Sequence, residues 1–316
     1  MLLILRIATA IIVFLSAFSY IGIATAQPGN EERNRQPDNI GTGPYPAMKE
    51  EVASLPAHVI YRPRNLTAMG DEKLGLVAWG NGGCSDDGAS TRFHLLELAS
   101  HGYLVIASGH IYSGPGAKER PEVAPVAEGE LPPPRTSATD LTDAIDWALH
   151  ENARSDSPYY GRIDGDQIAF SGFSCGGIQA IDVAGDPRID TLVLQNTGIF
   201  INGPPRNIPG MDLVKGDLMA IHTPTIYILG GETDIAYDNG MDDFAKINHV
   251  PVAVANLPVG HGGTYFDENG GEAAQVAVNW LQWQLRGDSY AAKWFVGENC
   301  MLCSHNAWTL ETKGLE

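Results

Sequence analysis

The stretch Ile168-Ala169-Phe170-Ser171-Gly172-Phe173-Ser174-Cys175-Gly176-Gly177 decides the fold. Ile168 to Phe173 has the composition of a short buried strand, and the run from the glycines to Val183 reads as a helix. A serine at such a strand-to-helix joint has its hydroxyl exposed at the tip of a sharp, strained turn. Side chains two positions before and after it would collide, and the chain carries Gly172 and Gly176 there. The following helix aims its N-terminal N–H groups at the serine, where they favour developing negative charge. A glycine-rich turn alone would be an ordinary loop. The strand–turn–helix setting makes Ser174 a candidate nucleophile.

A serine hydroxyl attacks poorly until a base removes its proton. In this arrangement the acid and the histidine follow the serine in the chain, each just past a strand. Thr225 to Leu229 is a predicted strand, and Gly230-Gly231-Glu232-Thr233-Asp234 is the turn after it. Val252 to Leu257 is the next, leading to Val259-Gly260-His261-Gly262-Gly263. Of the nine histidines, His261 has this placement, with small neighbours that let its loop descend on Ser174. His222 and His249 precede strands and would lie at the wrong end of a sheet. His110 follows a strand but comes before the serine, which suits a cleft wall. Asp234 is preferred over Glu232 and Asp238 by its distance past the strand.

The oxyanion of an acyl transfer needs two donors. The backbone N–H of Cys175, next to the nucleophile, is one. The second is expected from Trp79-Gly80-Asn81-Gly82-Gly83, the glycine-rich loop after the strand Leu74 to Trp79, with Asn81 as the donor. Cys84 ends that loop, so a Cys84–Cys175 disulfide would tie the two halves of the oxyanion site together. Cys300 and Cys303 form a C-x-x-C near the C-terminus, with too few ligands nearby for zinc, and read as a local disulfide. Trp79, His110, Tyr112, Phe200 and Tyr265 are candidate cleft-lining residues, although each could equally be packing.

Outward from these motifs, strands and helices alternate. Tyr103 to Ser108 and Thr191 to Leu194 add strands. Helical spacing appears at Phe93 to Leu98, Thr136 to His150 and Ala273 to Leu285. The alternation predicts an α/β fold, a mostly parallel sheet with helices on both faces, and no internal repeat. Gly109 to Arg135 is a long proline-rich loop of the sort that carries function. Residues 27–55 are polar and read as an extended or disordered arm, 56–287 as the domain, and 288–316 as a tail packed on it.

The chain plainly resembles the α/β-hydrolase superfamily over about Leu74 to Leu285, through its ordered Ser174, Asp234 and His261 motifs. Within it, the secreted dienelactone-hydrolase-like, chlorophyllase-like and cutinase-like polyester hydrolases look closest. The resemblance implies an acyl-enzyme on Ser174, no metal and no cofactor. It departs from dienelactone hydrolases, whose nucleophile is cysteine, and from the commoner His-Gly opening of the oxyanion loop. The short excursion between Gly198 and Thr223 implies little or no lid. Hydrolysis of small-molecule or polymeric carboxylic esters is the expected activity. A peptidase or amidase on the same fold is the alternative, and a non-catalytic binding protein the contrasting class.

Arg6, the apolar run Ile7 to Ile23 and Ala24-Thr25-Ala26 read as a signal peptide over 1–26, giving a secreted or periplasmic protein with no membrane association after cleavage. Four cysteines in an exported chain fit disulfides. The remaining 290 of 316 residues suit one large domain. With 38 acidic against 20 basic residues, the net charge of −18 repels phosphate backbones, so nucleic acid is not an expected partner. Nothing in the sequence reports an oligomeric state.

Overall fold

The computed structural model describes residues 34–121, 133–203 and 212–315. The expected signal segment 1–26 lies outside these, as do 122–132 of the proline-rich loop and 204–211 of the excursion after Gly198.

The chain forms a mixed α/β structure around one nine-stranded sheet. Its strands are β1 (Ala47–Glu50), β2 (His58–Pro63), β3 (Leu74–Gly80), β4 (Tyr103–Ser108), β5 (Ile163–Phe173), β6 (Thr191–Gln195), β7 (Thr225–Leu229), β8 (Val252–Asn256) and β9 (Thr309–Lys313). They lie in the order β1-β2-β4-β3-β5-β6-β7-β8-β9. The six central strands, β4 to β8, are parallel, while β1, β2 and β9 run antiparallel at the two edges. Parallel strands are buried on both faces. Accordingly β3, β4, β6, β7 and β8 are buried at every position.

Residues alternate between the two faces along each strand, and each face meets its own helices. Leu76 and Ala78 of β3 and Ile168 and Phe170 of β5 share one core with α2 (Thr139–Ala153), α3 (Cys175–Asp182) and α4 (Tyr237–Lys246). Val77 and Trp79 of β3 and Ala253 and Ala255 of β8 share the other with α1 (Arg92–Ser100) and α5 (Gly271–Arg286). Trp280 of α5 packs on this second face. Its indole N–H donates to Thr191 Oγ1 at 2.8 Å, so its ring is buried without an unpaired polar atom. A large apolar side chain buried this way contributes roughly 1.5–3 kcal/mol.

Three elements differ from the sequence reading. The polar arm ends in the sheet, with Ala47–Glu50 pairing as edge strand β1, and β2 brings it against β4. The tail does more than pack, because Thr309–Lys313 pairs with β8 as the ninth strand. Helix α4, Tyr-Asp-Asn-Gly-Met-Asp-Asp-Phe-Ala-Lys, buries only Gly240, Asp243 and Phe244. Edge strands and this helix are half polar, so none carries the continuous apolar signal of the central strands.

The chain steps from β3 outward to β4, then crosses back over β3 to lay down β5 and advance the other way. The loops after β3 and β5 therefore leave on opposite faces and open a crevice at the carboxyl edge between them. Open α/β sheets bind ligands at such a point.

Candidate active site

Gly80 of β3 lies directly opposite Gly172 of β5, so both strands deliver their following loops to one spot. Ser174 follows β5 with φ 54° and ψ −119°. A non-glycine residue held there costs on the order of 1–3 kcal/mol and persists only where its surroundings hold it. Two hydrogen bonds to the backbone of Ser174 fix it. Ser174 N–H donates to Gln195 O (2.9 Å), and Thr197 Oγ1 donates to Ser174 O (2.7 Å). A Cβ on Gly172 would stand 2.3 Å from the Gly176 carbonyl oxygen, and one on Gly176 would stand 2.0 Å from the Gly80 carbonyl carbon. Only glycine lets the elbow close against the loop after β3.

His261 comes down on this elbow from the loop after β8. Its Nε2 lies 3.0 Å from Ser174 Oγ, and its Nδ1 lies 2.6 Å from Asp234 Oδ1. A carboxylate can only accept, so Nδ1 carries the proton and Nε2 is left to accept from the serine hydroxyl. Asp234 is buried after β7, whereas Glu232 and Asp238 are exposed. Oδ1 of Asp234 also accepts from Ala236 N–H (2.9 Å), and Oδ2 from Gly230 N–H (3.0 Å) and Asn196 Nδ2 (2.7 Å). Burial pushes this carboxyl up. The hydrogen bonds from His261, Ala236, Gly230 and Asn196 outweigh burial and hold it below the usual carboxylate value.

Asn81 immediately follows β3, its backbone N–H beside the first turn of α3, where a Cβ on Gly176 would come within 2.5 Å of it. Its side chain is buried and turned into the loop, with Nδ2 donating to Ser85 O (2.9 Å) and Ser108 O (2.6 Å). Any role toward a ligand therefore falls to its backbone. Cys84 and Cys175 are joined by a disulfide, with Cα atoms 5.2 Å apart across a separation of 91 residues. A second disulfide joins Cys300 and Cys303.

The cleft-lining candidates separate. Trp79 is fully buried within β3 and packs 5.2 Å from the His94 ring, which corrects its reading as a cleft residue. Tyr265 is likewise fully buried, with its ring 4.7 Å from Phe173 and its hydroxyl donating to Asn196 Oδ1. Both point into the sheet face because the strand and loop alternation places them there. Half-buried Phe200 packs on the α2–α3 core. His110 pairs with Glu51 at 3.2 Å and faces a separate pocket with Lys118. Tyr112 lines a polar cavity of about 380 Å³ with Ser85, Asp87, Arg120 and Phe266. None of Ser174, Asp234 and His261 lines this cavity.

Two residues at the site escaped the sequence reading. Phe173 lays its ring 5.3 Å from the His261 imidazole. Asn196 holds Asp234. The usable signal was the one already applied to Asp234 and His261, since Asn196 immediately follows strand β6. Among the described residues, no three or more His, Cys, Asp or Glu side chains converge as metal ligands would. The arrangement can draw a proton from Ser174 through His261 while a carboxylate steadies the resulting imidazolium. No family model matches the chain, and no curated protein matches it in sequence.

Proposed function

We propose that this chain is a serine hydrolase of the α/β-hydrolase fold that cleaves carboxylic esters through an acyl-enzyme. The observation that carries the reading is the unbroken line from Ser174 Oγ to His261 Nε2 at 3.0 Å and from His261 Nδ1 to Asp234 at 2.6 Å. It stands at the carboxyl edge of a mostly parallel sheet.

In this reading Ser174 Oγ attacks the ester carbonyl carbon as its proton passes to His261 Nε2. The carbonyl oxygen takes up negative charge against the backbone N–H groups of Cys175 and Asn81. The tetrahedral species collapses, and the leaving alkoxide takes the proton from His261 and departs as the alcohol. A water then gives its proton to His261 and attacks the acyl carbon, and Ser174 leaves with that proton to release the acid. Asp234 fixes the imidazole tautomer throughout and offsets its transient positive charge.

Two disulfides fit an oxidising compartment. Among the described residues no helix is long and apolar enough to cross a membrane. The disulfides and the N-terminal signal pattern support export of the protein.

A fluorophosphonate probe tests the reading. The wild-type protein is expected to label at Ser174 and to hydrolyse p-nitrophenyl esters in preference to aminoacyl anilides. Ser174→Ala is expected to do neither. A Ser174→Ala protein that hydrolyses esters at the wild-type rate would overturn it.

A further inference from the structure

Asn196 is 1% exposed and immediately follows β6, with φ 45°. Asparagine is one of the few side chains that tolerate this left-handed conformation. Its backbone is pinned by N–H donation to Ile228 O at 2.8 Å. The side-chain amide has four hydrogen-bonding capacities, two donating and two accepting. Three are used, and all three lead to the His261–Asp234 pair. One Nδ2 hydrogen goes to Asp234 Oδ2 (2.7 Å), and the other reaches the carbonyl of Gly260 (3.4 Å), the residue just before His261. Oδ1 accepts from the hydroxyl of Tyr265, four residues past His261. The Tyr265 ring is itself seated on Phe173, the residue before the nucleophile.

We propose that Asn196 is the positioning residue of the site, clamping the carboxylate of Asp234 and both ends of the His261 loop, with the Tyr265 hydroxyl fixing its amide orientation. The proposal rests on the serine-hydrolase reading above. Its physical content is twofold. A loop tethered at residues 260 and 265 cannot swing its imidazole off Ser174, and a misplacement of about 1 Å costs on the order of 10² in rate. A donor on Asp234 Oδ2 also shares the charge that the carboxylate would otherwise present to the imidazolium. Among the described residues, Asp234, from the turn after β7, is the ionisable side chain hydrogen-bonded to His261. Ser174 and the Phe173 ring face it from the elbow, and Tyr265 acts through Asn196.

Two variants test this. Asn196→Asp keeps the size and tolerates the same backbone, but sets an acceptor against Asp234. We expect kcat for a p-nitrophenyl ester to fall on the order of 10² with KM within roughly threefold. Added negative charge beside the pair should also move the acid limb of the kcat/KM profile to higher pH. Tyr265→Phe removes one hydroxyl while keeping the buried ring. It should slow fluorophosphonate labelling of Ser174 by roughly three- to tenfold, a smaller loss than that of the full clamp. It decides the matter if Asn196→Asp does not fold.

A folded Asn196→Asp protein with wild-type kcat and an unmoved acid limb would overturn the proposal. So would a Tyr265→Phe protein that labels at the wild-type rate. A purely structural role would lower the melting temperature of either variant and leave these readouts unchanged. Failure of the wild type itself to label at Ser174 would instead sink the hydrolase reading, which keeps the two failures apart.

Discussion

Two histidines are linked through Tyr265 and sit in different surroundings. His261 stands at the strand ends, 26% of its side chain open to solvent, with a carboxylate on one nitrogen and a hydroxyl on the other. His94 lies in α1 against the sheet face, fully buried between the rings of Trp79 and Tyr265. Its Nε2 meets Gln195 at 3.0 Å, and its Nδ1 has no hydrogen-bond partner among the described residues. Burial drives its pKa down to about 3, against a small upward pull from Glu97. Tyr265 touches both regions, with its ring on His94 and its hydroxyl reaching Asp234 through Asn196. The lesson is that residue type does not confer reactivity. A histidine works as a base where a strand end exposes it to an anion on one side and a reactive proton on the other.

Breaking each histidine should separate the regions most sharply. His261→Ala is expected to lower ester turnover on the order of 10⁵ while leaving the melting temperature near the wild-type value. His94→Ala should keep turnover within a few-fold and lose about 2–4 kcal/mol of stability through the cavity it leaves. Denaturant unfolding and kcat measured on the same two proteins check this, and loss of turnover in a stable His94→Ala would erase the contrast.

Asp234→Asn should cost on the order of 10⁴ in kcat, because an amide beside Nδ1 favours the tautomer that cannot accept the serine proton. Steady-state kinetics with KM reported alongside is the measurement. A loss confined to KM would show that the carboxylate does not orient the imidazole.

The disulfides extend the comparison, since Cys84–Cys175 belongs to the strand-end region and Cys300–Cys303 to the face that holds His94. Replacing Cys84 and Cys175 together by serine opens a 91-residue loop. By chain entropy this removes up to about 4–5 kcal/mol, and a loosened oxyanion loop loses about 10²–10³ in turnover. The Cys300 and Cys303 pair closes a far shorter loop. Its double replacement should cost about 2 kcal/mol or less by the same argument, with turnover unchanged. Thermal unfolding and kcat of the two double variants read the difference.

The last effect is read as a slope. His94 stays neutral in the folded protein down to about pH 3, whereas in the unfolded chain it takes a proton near pH 6.5. The unfolded state therefore binds more protons between those values. His94 then favours unfolding as pH falls through that window, by at most about 1.4 kcal/mol per pH unit. Unfolding free energies across pH 3–7 for wild type and His94→Gln should show a flatter dependence in the variant. Parallel slopes would mean that burial leaves His94 able to charge.

Much of this was legible in the chain. Gly172, Ser174 and Gly176 declare themselves because so sharp a strand-to-helix turn excludes side chains on both flanks. Asp234 and His261 follow from their distance past apolar strands. Cys84 and Cys175 flank the two loops that the elbow brings together, so their bridge could be expected. Trp79 and Tyr265 misled as cleft residues because an aromatic near a motif looks the same whether it faces a ligand or the core. Strand β9 and helix α4 were invisible since their pairing partners, not their own composition, stabilise them.

The amino-acid sequence by itself determined the order of strands and helices, the sharp turn at Ser174 and the serine, aspartate and histidine that the proposed chemistry uses. Those features are local, set by periodicity, glycine sterics and position after a strand. Only the tertiary structure decided that β4 crosses back so that β3 and β5 lie side by side, that His261 reaches Ser174, and that Asn196 holds Asp234 and the histidine loop together. Such contacts join residues from 27 to 87 positions apart. Hydrogen bonds over those spans depend on the closed sheet, which no window of sequence contains.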